Sequence, residues 1–236
     1  ILKALHRREM LLQQREIDHV IREEVTMRTA ELEREKSALR DLTIQVAESL
    51  VIAMESKNPY MRGRSIRIGD MSAAIADEMQ LDVDTVEAVR LAARLMDVGK
   101  IGIREEILNK PGSLTPEEYA HVKQHVELGI NILAPMRHLG PVLDYIRDHH
   151  EHYDGSGYPR QLSEKQISIG GRILAAVDAY DALTSGRSYQ EPMMPSNTLD
   201  YLAERVGSLI DPDVFIGLTA VVKRRRSLTF ISAIPH

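Results

Sequence analysis

Apolar positions recur with a helical period along almost the whole chain. Residues 1–50 contain neither Pro nor Gly and are dense in Glu, Arg and Leu, which predicts one long helix. From Ile21 the spacing alternates between four and three: Ile21, Val25, Arg28, Leu32, Glu35, Leu39, Leu42 and Val46. Val25, Leu32, Leu39 and Val46 hold one seam position, while Ile21 and Leu42 share the other with Arg28 and Glu35. A heptad with such polar interruptions predicts a parallel coiled-coil homodimer of modest stability; the alternative is a single solvated helix lying on the domain. Residues 1–50 are read as a coiled-coil signalling and dimerisation helix, and 51–236 as a helical domain.

Beyond residue 50 the period stays helical. Ile68, Met71, Ile75 and Met79 form one stripe, and Val86, Val89, Ala93 and Met96 another. Thr115-Pro116-Glu117-Glu118 is a capping box with Pro at the first helical position, and the helix it opens is expected to carry Tyr119, Val122, Val126, Ile130 and Leu133 inward. Pro141 opens a helix running toward His149, and a loop rich in Gly and Pro follows at 154–159. Residues 169–184 are helical again, and Asp211-Pro212 starts a last helix expected to end near Lys223–Arg226. Only Leu228 to Ala233 alternates like a strand, over too short a run to matter. The fold class is all-α.

Composition narrows the chemistry. With no Cys there is neither a disulfide framework nor a thiolate metal site, so any metal must be held by His, Asp or Glu. Trp is absent and Phe occurs twice, so the core is aliphatic. A net charge of −5, from 30 basic and 35 acidic residues, gives no sign of general nucleic-acid affinity. No apolar run is long enough to span a membrane. The chain opens on Ile1 and a charged stretch without a signal peptide, so a cytoplasmic location and an upstream sensory or receiver domain are expected.

The candidates for chemistry are polar residues set into apolar helices. His149 and His150 are adjacent at a helix end, and His121 and His125 lie four apart on one face. Asp97 follows an apolar stripe, Asp178 sits within Ala175-Ala-Val-Asp-Ala-Tyr-Asp-Ala182, and Glu55 follows Leu50-Val-Ile-Ala-Met54. An acid among Ala and Val is costly to bury unless it is paired or bound to a cation, which ranks Asp178 above Asp181.

Asp97-Val-Gly-Lys-Ile101, Lys110-Pro-Gly112, His125-Val-Glu-Leu-Gly129, His149-His-Glu151, Tyr153-Asp-Gly-Ser-Gly-Tyr-Pro159, Val177-Asp-Ala-Tyr-Asp-Ala-Leu183 and Arg187 follow one another in an order that resembles the HD-GYP family. These are bacterial HD-superfamily domains that hydrolyse cyclic di-GMP, and the resemblance covers about residues 42–220. It implies a metal cluster in which Glu55, Asp97, His125, His149, His150 and Asp178 match family ligands, with iron or manganese as the divalent ion. Two positions depart. Arg64 stands where an early His belongs, and Met96 where the His of the His-Asp pair belongs. One metal position is thereby reduced to Asp97 and Asp178, and an incomplete cluster of one or two ions is expected. A thioether is a poor ligand for such cations, so Met96 reads as core. Arg64 is expected to point inward at Asp97 or Asp178 in place of the ion.

The resemblance also gives catalytic roles to Asp97 and Lys100, and cyclic di-GMP contacts to Lys100, Gly157, Tyr158, Pro159 and Arg187. Ser188 and Gln190 replace the family's Pro and Lys after Arg187. Two functions compete: an impaired domain that binds cyclic di-GMP and transmits a signal, which is favoured, and a working metal-dependent phosphodiesterase. A purely structural oligomerisation role ranks last, because it leaves the buried ligand-type residues unexplained.

Overall fold

The computed structural model describes residues 2–56, 62–135, 140–185 and 191–232. Among these there is no β-strand, and ten α-helices carry the fold: α1 (Leu2–Glu55), α2 (Arg64–Glu78), α3 (Val83–Leu95), α4 (Glu105–Leu108), α5 (Pro116–Lys123), α6 (His125–Ile132), α7 (Val142–Asp148), α8 (Ile169–Thr184), α9 (Pro195–Ala203) and α10 (Pro212–Ser232). A 3-10 helix, Val98–Gly102, follows α3. None of the described helices is long and apolar enough to cross a membrane.

The chain forms two units, Ile1–Val46 and Ala47–His236. In the first, the heptad positions Ile21, Val25, Leu32, Leu39 and Leu42 are all exposed. The helix does not stop at residue 50 but continues to Glu55, and Ala47, Val51 and Met54 are buried. The second unit is built around α2, which packs on α3, α8 and α10, while α7 lies on α8 and α6 on the 3-10 helix. Ile68 and Ile75 of α2, Val89 and Leu95 of α3, Ile173, Leu174 and Val177 of α8, and Val214 and Leu218 of α10 fill the core. Met96 is 1% exposed, in keeping with a core residue.

Helix ends are fixed by side chains. Asp82 accepts from the Thr85 amide at 2.9 Å to start α3. Thr115 and Glu118 form the expected capping box of α5, and Lys110 Nζ adds a contact of 2.7 Å to Glu118. Asp211 accepts from the amides of Asp213 and Val214 at 2.7 and 3.2 Å to start α10. That helix runs through 228–232, where the sequence had suggested strand-like alternation.

One expected helix is two. The segment from Tyr119 to Leu133 breaks at Gln124, between α5 and α6. His125 Nδ1 donates to the Val122 carbonyl at 2.7 Å, the acceptor an unbroken helix would assign to the Val126 amide. The break re-phases the two halves. Val126, Ile130 and Leu133 are buried as expected, but α5 buries nothing and Tyr119 is 49% exposed.

Candidate functional site

Three imidazoles converge where α6 begins and α7 ends. Ring nitrogens of His125, His149 and His150 lie within 4.8 Å of one another. His125 Nδ1 is fixed by the Val122 carbonyl and His149 Nδ1 donates to the Ile146 carbonyl. Both rings therefore turn a bare Nε2 inward, and the two Nε2 atoms face each other at 3.3 Å. Two acceptors this close need a proton or a cation between them. Burial opposes the proton: it pushes His125 down to about 4, with the neighbouring His149 and Lys100 adding to it. His149 and His150 are lowered mainly by burial as well. Neutral, mutually facing imidazoles with carbonyl-anchored Nδ1 groups fit one divalent ion.

The close approach of α6 to the 3-10 helix sets this geometry. A Cβ on Gly99 would lie 1.9 Å from the His125 carbonyl oxygen and 2.5 Å from the Gly129 nitrogen, so only glycine fits.

The carboxylates form a second cluster, and it is occupied. Arg64, the first residue of α2, sends its guanidinium into the domain with its side chain 11% exposed. Its two Nη groups bond Asp97 and Asp178, and Nε lies 3.2 Å from Asp181. Lys100 Nζ takes the other Asp97 oxygen at 2.7 Å, and Arg67 and Ser185 reach Asp181 at 3.4 and 3.0 Å. Burial alone would raise the Asp97 carboxyl, but Lys100, Arg64 and His125 hold it well below the usual carboxylate range. Burial alone would likewise lower Arg64, yet the three aspartates raise it above its ordinary value. A cation there would have to displace the guanidinium, so Asp97 and Asp178 as arranged do not fit an ion.

Glu55, the last residue of α1, is buried at the start of α2. Its two oxygens accept from the amides of Gly63 and Ser65 at 2.9 and 2.7 Å, on either side of Arg64. It serves as the N-terminal cap of α2, a job its carboxylate suits because the amides there are unpaired. His121, which shares sequence spacing with His125, bonds the Arg104 amide and Gln124 instead.

The Gly157-Tyr158-Pro159 loop closes over the imidazoles. A Cβ on Gly157 would fall 2.3 Å from the His152 nitrogen, and the Tyr158 amide donates to the His150 carbonyl at 3.0 Å. The Tyr158 ring stacks on His150 with centroids 4.8 Å apart. Glu151, 1% exposed, anchors the far side by accepting from the amides of Arg160 and Leu162 at 2.6 and 3.0 Å. Asp148, equally buried, pairs with the Arg160 guanidinium and accepts from the Ser168 amide at 3.0 Å. Arg187 lies outside the described residues.

The structure thus brings together His125, His149, His150 and Tyr158 on one side and Asp97, Lys100 and Asp178 on the other, linked by Arg64 to Asp181. Asp181 was ranked below Asp178, and Glu151 and Asp148 were not weighed as site residues, yet the structure ties all three into this region. The signal was available for Glu151, an acid directly after two His, and for Asp181, one helical turn beyond Asp178.

The HD domain family matches residues 48–214. A cyclic di-GMP phosphodiesterase of Thermotoga maritima is 37% identical over 80% of this chain and 51% of its own length. A 3'3'-cGAMP-specific phosphodiesterase 2 of Vibrio cholerae is 32% identical over 74% of this chain and 34% of its own. The chain therefore spans about half the length, or less, of these relatives. The crystal structure of a cyclic GMP-AMP phosphodiesterase from V. cholerae superposes with a TM-score of 0.58, at 18% identity, over 81% of this chain and 50% of that one. The chain belongs to the HD domain family, in its HD-GYP branch.

Proposed function

We propose that this domain binds a cyclic dinucleotide of the cyclic di-GMP type and passes on a signal, with hydrolysis weak or absent. The observation that carries the reading is Arg64 among Asp97, Asp178 and Asp181. A pair of divalent ions, where present, polarises a phosphoryl oxygen and stabilises both the attacking and the leaving oxygen. A guanidinium, with Lys100 and Arg67, balances the carboxylates' charge, but it has no open coordination position and remains protonated throughout the working range. The carboxylate cluster is therefore neutralised without the Lewis acidity.

The three imidazoles remain suited to one ion, iron or manganese by the resemblance, and Lys100 and the Gly157–Pro159 loop border them. This intact half favours the second reading, a slow metal-dependent phosphodiesterase. A homodimer through the heptads of α1, an upstream input domain and a cytoplasmic setting complete the proposal.

The experiment is titration of the purified protein with cyclic di-GMP, with and without added manganese or iron, followed by chromatography of the nucleotide. Binding with intact ligand recovered supports the receptor reading. Stoichiometric conversion to a linear product would establish the enzyme, and no binding under any condition would remove both.

A further inference from the structure

Outward from the imidazoles, aromatic rings and a cation continue in sequence. Tyr158 lies on His150, Tyr119 meets Tyr158 edge-on with centroids 6.4 Å apart, and Lys123 Nζ sits 5.2 Å from the Tyr119 centroid and 5.6 Å from that of Tyr158. Tyr119 and Lys123 are four apart on α5, so they share one face. Packing does not account for them: α5 buries no residue, and Tyr119 is exposed. Among the described residues, Lys100 is held by Asp97 and Lys110 by Glu118, whereas no carboxylate pairs with Lys123. The rings hold that ammonium in place without neutralising it.

We propose that Tyr119 and Lys123 form a nucleotide subsite beside the imidazole cluster. The open Tyr119 face stacks a purine base and Lys123 contacts a phosphate oxygen or the base carbonyl. Every base offers a π-face to an aromatic ring, and a phosphodiester offers its charge to an ammonium, so the pair matches both chemistries of one ligand. The inference rests on the proposed reading that the ligand is a cyclic dinucleotide.

The test is the affinity of the full chain for cyclic di-GMP and 3'3'-cGAMP in Tyr119→Ala, Tyr119→Phe, Lys123→Gln and Lys123→Arg, with manganese affinity and melting temperature measured alongside. Tyr119→Ala and Lys123→Gln are each expected to weaken both nucleotides about tenfold. Tyr119→Phe and Lys123→Arg should keep wild-type affinity, and Lys123→Gln should lessen the salt dependence of binding. Manganese affinity should not move in any of the four. Wild-type nucleotide affinity in Tyr119→Ala and Lys123→Gln overturns this inference and leaves the proposed function standing. Parallel losses of manganese and nucleotide overturn it as well, because the residues would then act through the imidazoles. Failure of the wild-type protein to bind either nucleotide overturns both.

Discussion

Replacing Arg64 with Met removes a buried cation and keeps most of the side-chain volume. The guanidinium is nearly enclosed and serves three carboxylates at once. Removing one member of a buried ionic network costs about 3–5 kcal/mol, because the partners stay buried without compensation. Here Lys100 still pairs with Asp97 and Arg67 still reaches Asp181, which leaves Asp178 as the carboxylate that loses its ion pair with Arg64. The side chain of Asp178 is 24% exposed, so water recovers part of the loss. The lower end, about 3 kcal/mol, is expected, equivalent to roughly 6–12 °C in melting temperature for a domain of this size. The sign with pH follows from Asp97, whose carboxyl is held low in the folded protein. A depressed carboxyl contributes stability above its unfolded pKa of about 3.9 and loses it as pH falls through the folded value. The gap between wild type and variant should be widest above about pH 5 and narrow below about pH 4. Urea melts at pH 7 and pH 4, with the slope compared between proteins, measure it. A variant as stable as wild type at pH 7 would refute the argument that this cation holds the cluster together.

Arg64→His combined with Met96→His should let the protein bind an additional equivalent of manganese by elemental analysis; unchanged metal content would show that the missing imidazoles are not what excludes the ion. Gly99→Ala drives a methyl group against the His125 carbonyl and should cost about 3 kcal/mol while weakening manganese binding at the imidazoles, so wild-type stability and metal affinity would contradict the packing described for α6. Because burial holds His125 at about 4, manganese binding measured by calorimetry should persist from pH 7 to about pH 5 and fail near pH 4, whereas loss at pH 6.5 would indicate ordinary, solvated imidazoles. Leu32→Asp with Leu39→Asp should convert a dimer to a monomer in sedimentation without changing the melting of residues 47–236; a monomeric wild-type protein would remove the coiled-coil reading.

Much of the domain was legible because its signals are local. The capping box at Thr115 and the Pro at the start of α5 are two-residue chemistry and landed where expected. The inward Arg64 was legible for a different reason: the resemblance implies a metal ligand at its position, and facing aspartates without an ion need a positive charge. Tyr119 was misplaced because periodicity assumes an unbroken helix. At Gln124 the backbone bonding tightens and the His125 ring also takes the Val122 carbonyl, and no window of apolar residues records it. Glu55 shows the limit of that signal. Burial of an acid after an apolar run is the same signal whether its partners are a metal or two backbone amides, and only the path of α2 decides between them. His125, His149 and His150 join segments well separated in sequence, so their meeting was carried by the family resemblance and not by spacing.

The guanidinium between the aspartates is tethered to the backbone, and that changes what the cluster depends on. A bound ion has a dissociation constant and can be lost to chelators or to scarcity. A side chain cannot be competed away, since its local concentration is fixed by the covalent chain. The carboxylate half of this domain is thus insulated from the supply of metal in its surroundings. The arrangement of α2 and α8 around Arg64 stays the same whether metal is scarce or plentiful.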